Sequence, residues 1–122
     1  SPKPLSSCMA FVLKQSDTFS WPVTFDLPVD GGLHETQTFD VQFKRMPQKW
    51  IREIAKKIDA EKVTDTEVAR EILAGWAGII DDAGKDIPFS QKTLEQILDI
   101  PTLSGSVVLA YFKATAGVKE KN

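Results

Sequence analysis

An acidic turn at residues 81–86, DDAGKD, comes closest to a metal-binding pattern in this sequence. Calcium-binding loops combine carboxylate ligands with an invariant glycine, and aligning Gly84 with that glycine places Asp81 at loop position 3. Ala83 then stands at position 5 and Ser90 at position 12. A calcium loop needs an oxygen ligand at position 5 and a bidentate glutamate at position 12. The pattern therefore fails as a calcium site and predicts a turn.

The chain has a single histidine and a single cysteine, which limits acid–base, nucleophilic and metal chemistry. His34 and Glu35 are adjacent, so they suit either a two-residue metal or acid–base site or a solvated strand end, and we favour the strand end. Cys8 has no partner for an internal disulfide, and we interpret it as an incidental thiol in a reducing cytosol. The sequence contains no phosphate-binding glycine loop and no nucleophile elbow. We therefore expect a protein that is not an enzyme and that binds no metal and no cofactor.

Basic residues recur at helical spacing in the middle of the chain. They are Arg45, Lys49, Arg52 and Lys56, with Lys57 and Lys62 following. One interpretation is a solvated helix face whose alkyl stems cover the core, and we favour it. The other is a contact surface for an acidic partner or for RNA.

Three aromatic residues are further candidates for contacts. Trp50 stands at the edge of the basic series and is either a half-buried core residue or an interface anchor. Tyr111 and Phe112 are adjacent in a predicted helix, so both cannot point straight inward. We expect one of them at the core margin or at an interface. The candidate partner-binding residues are therefore Lys49, Trp50, Arg52, Lys56, Tyr111 and Phe112.

Length and composition predict one domain with a real hydrophobic core. The chain has 122 residues, 42% of them hydrophobic, which argues against general disorder. Its net charge is −2, so the molecule as a whole has no electrostatic reason to bind nucleic acid or an anionic membrane. No apolar run approaches membrane-spanning length, and no signal peptide is recognisable.

The chain divides into a domain with short flanking segments. Residues 1–8 are polar and rich in Pro and Ser, and we interpret them as a flexible segment or a non-native leader before a natural start at Met9. Residues 9–117 form the predicted domain, and residues 118–122 form a polar tail.

A long β-hairpin is predicted at residues 20–45. Its first strand is apolar at every second position, and two prolines on the opposite face each remove a ladder donor, which predicts a free edge. Asp30, Gly31 and Gly32 predict the turn. The return strand, Leu33–Lys44, alternates in the same way. Phe11-Val12-Leu13 is a candidate third strand.

About four short helices are predicted after the hairpin. Pro47 opens the first, and Thr64 with Glu67 forms a capping box for the second, whose apolar stripe we extend as far as Trp76. Ser90 caps the third. The fourth is predicted from about Thr102 to the terminating Gly117. The predicted fold class is α+β, an N-terminal antiparallel β-hairpin packed on about four short α-helices.

Four segments, in order, resemble the tail assembly chaperones of siphophages and prophages. They are FVLKQSDTFSWPVTFDLPVDGGLHETQTFDVQFKR (residues 11–45), EVAREILAGWAGIID (67–81), DIPFS (86–90) and LDIPTLSGSVVLAYFKA (98–114). The family pattern has WPV at the start, a P-x-DGG turn, an F-x-x-x-FKR end, GW-x-G, PFS and a terminal AYF helix. The specificity lies in the ordered set, which spans residues 9–116.

The resemblance implies a non-enzymatic assembly factor. It implies binding to the tape measure protein, recruitment of tail tube subunits in the host cytoplasm, and absence from the mature virion, with self-association as a further expectation. Two alternatives remain open. One is a nucleic-acid-binding or regulatory protein that uses the basic first helix, which the acidic overall charge disfavours. The other is a structural tail component retained in the virion.

Overall fold

The computed structural model describes residue 13 and residues 16–116, which fold around a single hydrophobic core. Three strands form an antiparallel sheet in the order β1–β2–β3, and four helices accompany it. The strands are β1 (Thr18–Val29), β2 (Leu33–Lys44) and β3 (Leu73–Ala77). The helices are α1 (Gln48–Asp59), α2 (Asp65–Ile72), α3 (Gln91–Leu98) and α4 (Leu103–Ala116). The predicted α+β class is confirmed, whereas residues 1–8 and 118–122 lie outside the described part of the chain.

The predicted hairpin is confirmed, with β1 and β2 paired from Thr18↔Lys44 to Val29↔Leu33. Gly31 and Gly32 have φ values of 89° and 75°, a conformation that glycine adopts at no steric cost. One face of the ribbon enters the core, since Val23 is fully buried there. The other face is polar and carries cross-strand hydrogen bonds such as that between Thr24 and Thr38, 3.0 Å long.

Among the strands that the structure describes, β1 lies at the edge of the sheet, which agrees with the predicted free edge. Asp17 and Arg45 form a hydrogen-bonded pair, with the Arg45 N–H 2.9 Å from the Asp17 carbonyl. Since pair types alternate along an antiparallel ladder, even-numbered residues of β1 direct their backbone groups outward. Pro22 and Pro28 are both even-numbered, so they cost no ladder bond and remove donors from the free edge.

The prediction of a helix as far as Trp76 is wrong. The helix α2 ends at Ile72, and residue 73 is extended, with φ −86° and ψ 131°. The chain continues as β3, which pairs with β2 from Asp40↔Ala77 to Gln42↔Gly75. A bulge between Gln42 and Phe43 then shifts the register, and Phe43 pairs with Leu73. The physical reason is tertiary, because β2 offers a second edge whose backbone groups need partners.

The candidate third strand at residues 11–13 falls largely outside the described residues. Only Leu13 is described; it is 85% exposed and belongs to no strand. The third strand that the structure describes is β3, and the prediction for residues 11 and 12 lies outside the described residues.

The predicted helix starts are confirmed at α2 and α3. Thr64 accepts from the Glu67 N–H and Glu67 accepts from the Thr64 N–H, which is a capping box. Ser90 forms the equivalent pair with Thr93. Pro47 directly precedes α1 as its N-cap residue, and the predicted end of the last helix at Gly117 lies outside the described residues.

The core lies between the apolar face of the sheet and the helices. Its largest side chains below 2% exposure come from the two helices α2 and α4 and from the two long strands β1 and β2: Tyr111, Phe43, Ile72, Leu103, Val23, Val41, Val68 and Val107. In the described part of the chain no single helix has the length and hydropathy to cross a membrane, although α3 and α4 taken together do, with a 99° bend between them.

Candidate binding surface

The basic residues of α1 lie on its exposed side. Lys49, Arg52 and Lys56 are all exposed, as expected for residues at i, i+3 and i+7 on one helix face. Among the residues that the structure describes, no carboxylate lies within 4.0 Å of their charged groups. This positive face is therefore available to solvent or to a partner.

Trp50 is half-buried and packs against the core cluster. This placement matches the first of its two interpretations, a core residue at the margin. Its exposed part lies beside the basic face of α1, so Trp50 serves mainly to anchor that helix.

Tyr111 is not a surface residue, which corrects its place among the candidate contacts. Its side chain is fully buried, with its ring 5.0 Å from that of Phe43. The hydroxyl donates to the Lys44 carbonyl at 2.8 Å and accepts from the Met46 N–H at 3.2 Å. Burial raises the pKa of this hydroxyl, while the Met46 hydrogen bond and the charge of Arg45 act in the opposite direction. Tyr111 thus fastens the segment that joins β2 to α1 onto the helix α4.

Phe112 is the member of the aromatic pair that reaches the core margin. It is half-buried and lies edge-on to Tyr111, with 6.3 Å between the ring centres. Its remaining surface lines an open groove, so the expectation that one of the two residues lies at the margin is confirmed for Phe112.

This groove, with a volume of about 940 Å³, is bounded by the start of β1, the start of α1 and the end of α4. Five of its apolar lining residues are half-buried, with part of each side chain packed on the core: Phe19, Trp21, Met46, Ile51 and Phe112. Half-buried apolar side chains that converge on an open groove are typical of protein-binding and ligand-binding sites. We call this feature the terminal groove.

Two arginines border the terminal groove. Arg45 lies over the Phe19 ring, with its guanidinium carbon 5.0 Å from the ring centre, and Arg52 extends from α1. Both are exposed, and within residues 16–116 neither has a carboxylate within 4.0 Å. The groove therefore combines an apolar floor with unpaired positive charge at its border.

Of the six candidate residues, the structure brings Arg52 and Phe112 together at this groove. Lys49 and Lys56 share the exposed face of α1 with Arg52 but are not among the lining residues. Phe19, Trp21 and Ile51 also line the groove, and the sequence patterns did not mark them as contact residues. Their alternation in β1 and spacing in α1 signalled burial, and burial alone does not reveal which side chains stay partly open.

In the described residues, no group of three or more His, Cys, Asp or Glu side chains is placed to hold a metal ion. The Asp81 carboxylate accepts hydrogen bonds from the N–H groups of Ala83 and Lys85, at 2.8 Å and 2.9 Å. This is the geometry of an Asx turn, and the predicted turn is confirmed. His34 is exposed beside the hairpin turn, opposite Pro28.

Comparison with known proteins identifies no relative. No family model matches the chain, and no curated protein or solved structure matches it either.

Proposed function

We propose that this protein is a phage or prophage tail assembly chaperone that binds the tape measure protein and helps to recruit tail tube subunits in the cytoplasm of the bacterial host. The observation that carries the proposal is the ordered set of family-like segments between residues 11 and 114. Such a factor performs no chemistry, and its work is to cover apolar helices of its partner until the tail tube replaces it.

The contacts among these segments support treating them as one set. The GW-x-G and PFS segments meet where Trp76 packs edge-on against Phe89, with 4.8 Å between the ring centres. The Trp76 indole N–H also donates to the Ile87 carbonyl at 2.8 Å. Segments distant in sequence that contact each other are under a shared structural constraint, so their occurrence together is more specific than any one alone.

The FKR and AYF segments meet in the same manner. The Tyr111 hydroxyl of AYF binds the Lys44 carbonyl of FKR, and the Tyr111 ring packs on Phe43. The next residue of each segment, Arg45 and Phe112, lines the terminal groove. The residues that carry the resemblance thus also shape an apolar groove, which is the kind of surface that a chaperone needs.

Co-expression with the adjacent tape measure gene tests the proposal. We expect the soluble fraction of the tape measure protein to rise when this chain is present, and the two proteins to co-purify. The control is co-expression with an unrelated acidic protein of similar size. A tape measure protein that stays insoluble, or is equally soluble with the control, contradicts the proposal.

A further inference from the structure

We propose that the terminal groove receives an amphipathic helix of a partner protein whose apolar side chains are flanked by aspartate or glutamate. The inference names the contact surface for the proposed function and rests on that function only for the partner's identity. It goes beyond the sequence-based candidates because it assigns recognition to the groove and its two arginines rather than to the whole basic face of α1.

The floor of the terminal groove offers apolar surface to a partner. Phe19, Trp21, Ile51 and Phe112 come from three separate elements, and each keeps part of its surface open to the groove. Burying such surface under a partner's apolar side chains is favourable in proportion to the area removed from water. Aromatic side chains are also enriched among residues that dominate protein interfaces.

The border of the terminal groove carries positive charge. Arg45 and Arg52 border the groove with no described carboxylate within 4.0 Å of their guanidinium groups, although the chain as a whole carries a charge of −2. The Arg45–Phe19 contact does not use the N–H donors of the guanidinium, which remain suited to a carboxylate. Acidic residues beside the occupant's apolar side chains would form ion pairs with both arginines.

Pro22 indicates that the occupant is a helix rather than an added strand. A strand that joined the free edge of β1 beside the groove would need outward N–H groups at the even-numbered positions. Ser20 offers one, but Pro22 has none. An apolar helix laid in a groove needs no backbone donor from β1.

The chain's own ends are poorer occupants on grounds of charge. Residues 1–15 contain two lysines and no acidic residue, and residues 117–122 contain two lysines and one glutamate. Both segments would bring positive charge towards Arg45 and Arg52. Nucleic acid is also disfavoured, because its closely spaced phosphates call for more positive charge than two arginines supply.

A binding assay with designed peptides tests the inference without the tape measure protein. The probe is a fluorescently labelled helical peptide of about 18 residues with leucines at i, i+3, i+4 and i+7 and glutamates on the flanks. Its twin carries lysine at each glutamate position. We expect fluorescence anisotropy to show binding of the glutamate peptide, weaker at high salt, and no comparable binding of the lysine peptide.

The matched variants reverse equal charge at two places. Arg45→Glu with Arg52→Glu should weaken binding of the glutamate peptide by about tenfold or more, because like charges then face each other at the groove. Lys49→Glu with Lys56→Glu should change it by less than about threefold, since these residues lie outside the groove. If the double variant is too unstable to assay, Arg52→Glu alone serves instead, because it leaves the Arg45–Phe19 contact intact. It should also weaken binding of the glutamate peptide.

Several outcomes overturn the inference. They are equal weakening by the two double variants, equal binding of the lysine peptide, and tighter binding of a labelled single-stranded oligonucleotide to the same surface. Nuclear Overhauser contacts in the full chain between groove side chains and residues 1–15 or 117–122 would assign the groove to the chain's own ends.

Failure of the inference and failure of the proposed function are distinguishable. If the glutamate peptide binds as expected and the tape measure protein stays insoluble, the groove assignment stands and the chaperone function falls. If the variant with Arg45→Glu and Arg52→Glu still keeps the tape measure protein soluble at wild-type levels, the function stands and the groove assignment falls.

Discussion

At the scale of single residues, Tyr111 does most to connect distant parts of the chain. Its hydroxyl satisfies two backbone groups where β2 ends and the segment leading to α1 begins, and its ring packs against both Phe19 and Phe43. A buried polar group is tolerated when its hydrogen bonds are complete, and this one has both a donor and an acceptor partner. Tyr111 therefore positions one wall of the terminal groove without lining it.

Removing the Tyr111 hydroxyl should destabilise the protein. In Tyr111→Phe the ring remains, but the Lys44 carbonyl and the Met46 N–H lose their partner, which costs about 1–3 kcal/mol of unfolding free energy. Urea denaturation followed by circular dichroism measures it. Thr24→Val, which removes an exposed hydrogen bond to Thr38, is the control and should cost less than about 0.5 kcal/mol. Equal losses in the two variants would contradict the argument.

The same residue should make stability depend on alkaline pH. Burial raises the pKa of Tyr111 above its ordinary value of 10.0, so the folded protein holds this proton more tightly than the unfolded chain does. The resulting stability is fully present below pH 10 and is lost as pH rises towards the folded pKa. As pH rises above 10, the unfolding free energy should therefore fall more steeply in the wild type than in Tyr111→Phe. Since Tyr111 is the chain's only tyrosine, tyrosinate absorbance reports its titration directly.

At the scale of elements, the passage from α2 into β3 shows how tertiary pairing overrides local pattern. The apolar spacing from Val68 to Trp76 suits a helix, yet residues 73–77 complete the second edge of β2. Gly78 then ends the strand with φ +87°, and a Cβ there would lie 3.8 Å from Phe39. Backbone conformation, rather than lack of space, makes glycine necessary at that position.

Two glycine substitutions separate these effects. Gly78→Ala should lower the unfolding free energy by about 1–2 kcal/mol, because an L-residue is strained at positive φ. Gly75→Ala should leave stability unchanged or raise it by up to about 1 kcal/mol, since a Cβ there meets Gln42 at an ordinary 3.5 Å. Thermal melts of both variants provide the measurement. A larger loss for Gly75→Ala than for Gly78→Ala would show that β3 is not paired as described.

The prolines of β1 should protect its free edge against pairing between molecules. Pro22→Thr with Pro28→Thr restores two outward N–H groups on an exposed edge without removing a ladder bond. We expect a folded protein with more dimer or larger species, measured by size-exclusion chromatography with light scattering at several concentrations. Thr24→Val, on the same face but without a new backbone donor, is the control. A strictly monomeric double variant would mean that something else blocks this edge.

The sequence predicts elements better than it predicts the groove, for reasons visible in particular residues. The Asp30-Gly31-Gly32 turn and the Thr64 capping box depend on neighbours in sequence, so local chemistry suffices for them. By contrast, β3 depends on an edge that β2 offers about 30 residues earlier, and short apolar runs do not distinguish helix from strand. The terminal groove requires Phe19, Arg52 and Phe112 to meet, which no local pattern encodes.

At the scale of the whole molecule, the ribbon has two parts with different surroundings. Near Asp40–Phe43 the strand β2 is central, with β1 and β3 on either side, and supplies core residues. Towards the turn, residues 33–38 are exposed and no described strand pairs with their outer edge. The ribbon is therefore a core scaffold at the end that holds the terminal groove. Towards the turn β2 is exposed, whereas β1 still accepts a hydrogen bond from the Thr102 hydroxyl at the Asp26 carbonyl, 2.9 Å long.

The proposed function predicts that the chain is absent from finished particles. A contact made by one open groove with two exposed arginines at its border suits reversible binding, because exposed charge pairs are screened by salt and competed by solvent. On the proposed function, such binding would allow polymerising tail tube subunits to displace this chain from the tape measure protein. Quantitative mass spectrometry of purified particles, with the tape measure protein as the internal standard, should find this chain in lysates and at trace level in particles. Retention in a fixed ratio to the tail tube protein would contradict the chaperone function and favour a structural tail component.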